Sequence, residues 1–300
     1  MNRIPAALRR TSLLLTTAAA ALLGSLALAG PASASLFGPE SGGSPNADRI
    51  ADLYWIIFAI ALVVFVVVEG ALIYSLFKFR ARKGAVAAQI RGNTRLEIGW
   101  TVGAAVILVA LAIVTFIKLP GIRNPENSSA GAYSGELVAA SSAKELPPDG
   151  KSLNVCVNGQ QYLWRFTYQE DCRKADFKAP FSYNTMVVPT DTTVTLDITA
   201  QDVIHSWWIP KLGGKMDATP GYYTHTWFKV PGDMAGTTFR GQCAELCGRN
   251  HADMLAWVKA VSPEDFEAWL DQREKDVKAA NDAAAEQRKE LEGSDEESTP

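Results

Sequence analysis

Three long apolar blocks occupy the first 120 residues, and a series of short alternating segments follows them. The first block runs from 13 to 29, behind Arg3, Arg9 and Arg10, and ends at Pro31, Ala32, Ser33 and Ala34. A basic start, an apolar stretch and an A-x-A ending form the pattern of a secretory signal peptide. A signal peptide is therefore expected over 1–34, with an uncleaved first span as the alternative. The other two blocks run from 50 to 77 and from 98 to 117. About 20 apolar residues at 1.5 Å each match a hydrocarbon core of about 30 Å, so residues 50–119 are expected to form a transmembrane helical hairpin. Residues 35–49 then make a short external leader. Residues 120–150, rich in Gly, Ser, Pro and Ala, make a linker.

From 151 onward the period changes to that of strands. Segments 153–157, 162–168, 185–189, 192–199, 224–230 and 255–261 are β-branched, aromatic or alternating. Asn158-Gly159, Pro220-Gly221 and Pro231-Gly232 punctuate them as turns. Short strands with frequent turn signals predict an antiparallel sandwich or barrel over 151–261. A C-terminal helix and charged tail follow over 262–300. Ser262 suits the N-cap, Pro263 the first helical position, and Glu264 and Asp265 the positive dipole end. Phe266, Trp269 and Leu270 give this helix one apolar face, while 293–300 reads as disordered.

Charge settles the expected orientation. From Lys78 to Arg95 the connecting loop carries Lys78, Arg80, Arg82, Lys83, Arg91 and Arg95 and no acidic residue. The positive-inside rule places that loop in the cytoplasm, so both flanks face outward, in agreement with a secretory signal. The formal net charge is −3, which implies no polyanion-binding field and excludes nucleic acid as an expected partner. Glu69 falls within the first span and, being costly in lipid, is expected to face protein.

The chemistry lies in the cysteines. Cys243, Cys247, His251 and Met254 form C-x3-C-x3-H-x2-M, and His205 stands upstream between Asp202 and Trp207-Trp208. Thiolates, imidazole and thioether favour copper over magnesium or calcium. A blue-copper site takes one Cys, two His and a weak axial Met. Two Cys, two His and one Met suit two copper ions sharing both thiolates. Tetrahedral Cys2His2 zinc and a Cys243–Cys247 disulfide stand as alternatives on these residues alone. No C-x-x-C-H occurs, so covalently attached haem is not expected.

These segments resemble the cytochrome c oxidase subunit II family. Residues 241–254 are similar to its copper loop, and Asp202, His205 and Pro210 to its upstream histidine segment. Lys215, Asp217, Pro220 and Gly221 are similar to the loop after it. Asn93, Glu97, Gly99 and Trp100 match its entry into the second span, and Gly159, Gln161, Trp164, Phe166 and Tyr168 its aromatic strand. The resemblance implies a membrane-anchored, all-β protein: a two-helix hairpin, a cupredoxin-like β-sandwich and a C-terminal helix. It implies that Cys243 and Cys247 bridge two coppers, that His205 and His251 bind one each, and that Met254 is a weak ligand. Glu245 would offer its carbonyl to copper and its carboxylate to a magnesium shared with subunit I. The implied function is to take electrons from cytochrome c and pass them to the haem–copper subunit I, where oxygen is reduced to water and protons are pumped. The implied partners are subunit I, other oxidase subunits, cytochrome c and membrane lipid. The implied location is a bacterial cell membrane, with the copper domain on the outer face.

Some positions depart from the family pattern. Tyr162 stands where the family often has its electron-entry Trp; it and Trp164 are the expected electron-entry or docking residues. Tyr222 replaces an Arg after Pro220-Gly221, and Ala104 a Pro after Trp100-Thr101. Glu97 matches a carboxylate near a proton entrance, though a helix-start acid explains it as well. Cys156 and Cys172 lie outside the copper loop; an oxidising compartment favours a disulfide between them, with two free thiols as the alternative. A metal-free quinol-oxidase subunit and a periplasmic copper-binding module are the competing functions.

Overall fold

The computed structural model describes residues 37–297 apart from 82, 85, 87, 134, 136–145 and 175. The signal-peptide reading over 1–34 lies outside the described residues. Helix α1 (Pro45–Lys78) and helix α2 (Thr94–Arg123) pack against each other. Each is long and apolar enough to cross a bilayer, and positions such as Phe65, Val67, Leu108 and Phe116 are exposed along them. Glu69 is half-buried within α1. Pro45 opens α1 inside the expected leader, because its fixed φ suits a first helical turn. Asn93 caps α2: its side chain accepts from the Leu96 N–H at 3.2 Å. Glu97 reaches back to accept from the Asn93 N–H at 3.2 Å, which completes a reciprocal cap.

The soluble part is a sandwich of two five-stranded sheets. Its strands are β1 (Leu153–Gln160), β2 (Leu163–Tyr168), β3 (Phe181–Tyr183), β4 (Thr185–Pro189), β5 (Thr193–Ala200), β6 (His205–Trp208), β7 (Met216–Ala218), β8 (Thr224–Lys229), β9 (Thr238–Cys243) and β10 (Leu255–Val261). One sheet runs β3-β2-β1-β5-β8 and the other β4-β10-β9-β6-β7. Alternate residues of the facing surfaces, among them Val157, Phe166, Leu196, Val188, Phe239 and Val258, fill the space between them. This is the expected cupredoxin-like sandwich, with two corrections. It is mixed rather than antiparallel, since β1–β5 and β4–β10 pair in parallel. Asn158-Gly159 is not a turn but part of β1, paired with Arg165 and Trp164. The glycine is there for closeness: a Cβ at Gly159 would stand 3.1 Å from both His205 and Trp164.

Helix α3 (Pro263–Glu297) starts as expected, with Ser262 Oγ accepting from the Asp265 N–H at 3.1 Å. Phe266 is fully buried, and Trp269 and Leu270 pack beside it. The helix runs to Glu297, and residues 298–300 of the tail expected to be disordered lie outside the described residues.

A polar latch ties the helical hairpin to the sandwich. Ser44 Oγ donates to Asn46 Oδ1 at 2.8 Å and accepts from the Lys229 N–H at 3.1 Å. Asn46 Nδ2 donates to the Trp227 carbonyl at 2.6 Å, and Trp227 Nε1 donates to the Ile122 carbonyl at 2.9 Å. Arg49 bonds the Gly121 carbonyl and pairs with Glu126, which also faces Lys229. Ser44, Asn46 and Trp227 are buried.

Two predictions concern this frame. The Tyr168 hydroxyl donates to the Val187 carbonyl and accepts from its N–H, both at 2.8 Å, inside the core. Tyr168→Phe leaves both groups unpaired and should cost about 2 kcal/mol in urea unfolding of the detergent-solubilised chain; an unchanged midpoint would remove this role. Cys156 and Cys172, with Cα atoms 5.4 Å apart, are joined in a disulfide across a separation of 16 residues. Replacing both with Ala should cost about 3 kcal/mol on the chain-entropy account, measured the same way, and equal stability would refute it.

Candidate metal centre

The candidate ligands meet at one end of the second sheet. Strand β9 pairs with β6 through Trp207↔Cys243 and with β10 through Leu255↔Gln242. A Cβ at Gly241 would collide with the Trp208 carbonyl, so glycine allows β9 to lie this close to β6. The loop between β9 and β10 is closed at its base, where the Cys243 N–H donates to the Met254 carbonyl at 2.9 Å. The Ala244 N–H donates to the Ser206 carbonyl at 2.9 Å, which ties the loop to β6. Midway, Gly248 adopts φ of +132°, and a Cβ there would stand 2.6 Å from the Tyr162 hydroxyl. Both the backbone and the space call for glycine.

Within this frame Cys243 and Cys247 are buried and not bonded to each other; their sulfurs are 3.9 Å apart. A disulfide needs about 2.05 Å, so that alternative is not what the fold presents. Each thiol has its own imidazole: His205 Nδ1 lies 3.8 Å from Cys243 Sγ, and His251 Nδ1 lies 3.5 Å from Cys247 Sγ. Met254 is fully buried, with its sulfur 3.8 Å from Cys247 Sγ. The Glu245 carbonyl lies 3.2 Å from Cys243 Sγ, while the residue itself is exposed. The ligand atoms of His205, Cys243 and Cys247 all lie within 4.8 Å of one another. A metal–thiolate bond is about 2.3 Å, so one cation can touch both sulfurs across the 3.9 Å gap. Buried soft donors at this spacing fit copper.

The electrostatics separate the two thiols. Burial pushes both up, but Cys243 has hydrogen bonds with His205 and the Glu245 and Ser206 backbone that bring it well below the ordinary thiol value. Cys247 stays raised, by burial and then by the neighbouring Cys243 charge. Burial works against protonated His205, yet Cys243 and Asp202 outweigh it and raise its pKa.

Asp202 has a part that the sequence reading did not assign. Its Oδ1 accepts from His205 Nε2 at 2.8 Å, so the ring's Nδ1 is left facing Cys243. A carboxylate holding the far nitrogen of a ligand histidine fixes its tautomer and orientation. The available signal was an acid three residues before the histidine. Of the remaining expected residues, Tyr162 is half-buried at the β1–β2 hairpin tip, against the loop. Trp164 is wholly buried, its ring 5.9 Å from that of His205. That corrects the docking assignment for Trp164: a side chain enclosed between sheets cannot touch a partner. Glu97 is at the other end of α2, a 30-residue helix about 45 Å long. The disulfide Cys156–Cys172 is on the outer face of the other sheet, beside Asp197, which pairs with the third histidine, His225.

Residues 153–261 match the family described as cytochrome c oxidase subunit II, periplasmic domain. Residues 32–117 match its transmembrane domain. Cytochrome c oxidase subunit 2 of Cereibacter sphaeroides is 31% identical, over 87% of this chain and 88% of that protein. The protein of the same name from Alkalihalophilus pseudofirmus is 30% identical over 81% of this chain, which spans 64% of that longer relative. The crystal structure of the periplasmic domain of subunit II of cytochrome oxidase of Bradyrhizobium japonicum is 30% identical, covering 42% of this chain and 95% of that one at a TM-score of 0.37. With both domains matched in order and the relatedness spanning nearly the whole chain, this protein belongs to the cytochrome c oxidase subunit II family.

Proposed function

We propose that the chain holds two copper ions between Cys243 and Cys247 and works as the electron-entry subunit of a haem–copper oxidase. It takes electrons from cytochrome c and hands them to subunit I, where oxygen is reduced to water with proton pumping. The observation that carries this reading is the pairing of each buried thiol with a different imidazole. Met254 and the Glu245 carbonyl add a weaker donor beside each sulfur. A copper pair held by these residues would supply a one-electron relay, its added charge shared by two metals.

The protein's own contribution is rigidity and exclusion of water. His205 is fully buried and held by Asp202, and the loop is tied to β6 and closed at its base. Ligands held this firmly move little when an electron arrives, which keeps reorganisation small. The exposed Glu245 side chain is available to a magnesium ion shared with subunit I. The hairpin crosses the membrane of a bacterial cell, among lipid and the other oxidase subunits, with the basic loop inside and the copper domain outside. Tyr162 meets the electron donor above the loop. Glu97, at the inner end of α2, stands near a proton entrance.

EPR and metal analysis of the copper-loaded chain test the centre. Two coppers per chain with a mixed-valence spectrum are expected. Cys243→Ser or Cys247→Ser should abolish that spectrum, and Met254→Leu should mainly shift the reduction potential, since thioether coordination is weak. A single blue-copper spectrum, or zinc without copper affinity, would overturn the assignment. For electron entry, Tyr162→Ala should slow reduction by cytochrome c in stopped-flow measurements on the assembled oxidase and leave the copper spectrum intact. An unchanged rate would remove Tyr162 from the docking face.

A further inference from the structure

The tip of the β1–β2 hairpin grips both ligand-bearing segments through one residue. The Gln161 N–H donates to Asp202 Oδ2 at 2.7 Å. The other oxygen of Asp202 accepts from His205 Nε2 at 2.8 Å and from the Val203 N–H at 2.7 Å. The Gln161 side chain turns the other way, and Nε2 donates to the Cys247 carbonyl at 2.7 Å. Thus the main chain of Gln161 acts on His205 through Asp202, and its side chain acts on the backbone of Cys247. The loop is pressed against this tip: a Cβ at Gly248 would lie 2.6 Å from the Tyr162 hydroxyl and 2.9 Å from Gln161 Nε2. Below the tip, the Gly159 carbonyl accepts from the Gln201 N–H at 2.9 Å, which holds the hairpin to the segment leading into Asp202.

The geometry points to Gln161 as a positioning residue of the metal centre, a clamp that fixes Cys247 relative to the His205–Asp202 pair. The inference rests on the two-copper reading and adds to it a residue that touches neither metal nor ligand side chain. The two arms of the clamp are separable. Any side chain at 161 keeps the N–H that meets Asp202, whereas only a donor of suitable length keeps the bond to Cys247. Because Tyr162 is the next residue, a partner landing there pushes directly on the clamp.

Gln161→Met keeps length and loses the donor; Gln161→Glu sets a carboxylate against the carbonyl oxygen; Gln161→Lys restores a donor. In the copper-loaded full chain, the Met and Glu variants should release copper to a chelator about tenfold faster than the parent, the scale for outer-shell partners. They should also shift the EPR hyperfine pattern and the reduction potential, while the Lys variant stays near the parent. In the metal-free chain the melting temperature should hold, and alkylation of Cys247, followed by mass spectrometry, should be faster in the Met and Glu variants. Parent-like release, spectrum and alkylation in those variants would overturn the clamp, as would a matching fall in metal-free melting temperature, which would mean general loosening. A parent chain with no two-copper spectrum would overturn the proposed function instead, and the alkylation rates would still decide the clamp.

Discussion

The pairing of β9 with β6 on one side and β10 on the other is the constraint on which the centre depends. His205 and Cys243 are 38 residues apart in sequence, and no local propensity brings them together. Main-chain pairing does, by placing Trp207 opposite Cys243 while the Cys243 N–H holds the Met254 carbonyl. The ligands inherit their spacing from this ladder. Side-chain rotamers adjust the last ångström, but the approach of the segments is set by backbone and by the missing side chain of Gly241. The close-packed sandwich then keeps that approach from relaxing.

Much of this was legible before any coordinates. The two apolar blocks became α1 and α2, and the six segments with a clear alternating or β-branched pattern all lie on strands. The helix start at Ser262 was readable because capping chemistry is local. What was missed has a common cause. Strands β3 and β7 have three residues each and β6 four, and β9 is interrupted by Arg, Gly and Gln where a β-branched run would have marked it. Asn158-Gly159 reads as a turn by composition, yet the glycine answers to a neighbour from another strand. Trp164 was expected among the electron-entry or docking residues by likeness to an aromatic motif, whereas the alternation of β2, with Trp164, Phe166 and Tyr168 on one side, puts it in the core. Gln161 acts through hydrogen bonds to segments 41 and 86 residues away, and spacing in sequence carries no trace of those; Asp202 left only the trace of an acid three residues before His205.

The centre is electrostatically uneven although its ligand set is nearly symmetrical. Cys243 is supported by His205 and backbone donors, whereas Cys247 bears burial and its neighbour's charge. His205 is enclosed and braced by a carboxylate; His251 is half-buried at the edge of the loop. One side is set by the interior of the sandwich and the other by its rim.

The latch between the helical hairpin and the sandwich couples the seating of one to the folding of the other. Asn46 is buried with its amide on the Trp227 carbonyl, and the Trp227 indole reaches the end of α2. Strand β8 begins 146 residues after α1 ends, so these polar groups gain their partners only once the later part of the chain has been made. Folding of the later segment is what completes the seat of the hairpin. The later part of the chain thus fixes the earlier one, and a lesion in β8 is felt as a loosely seated hairpin.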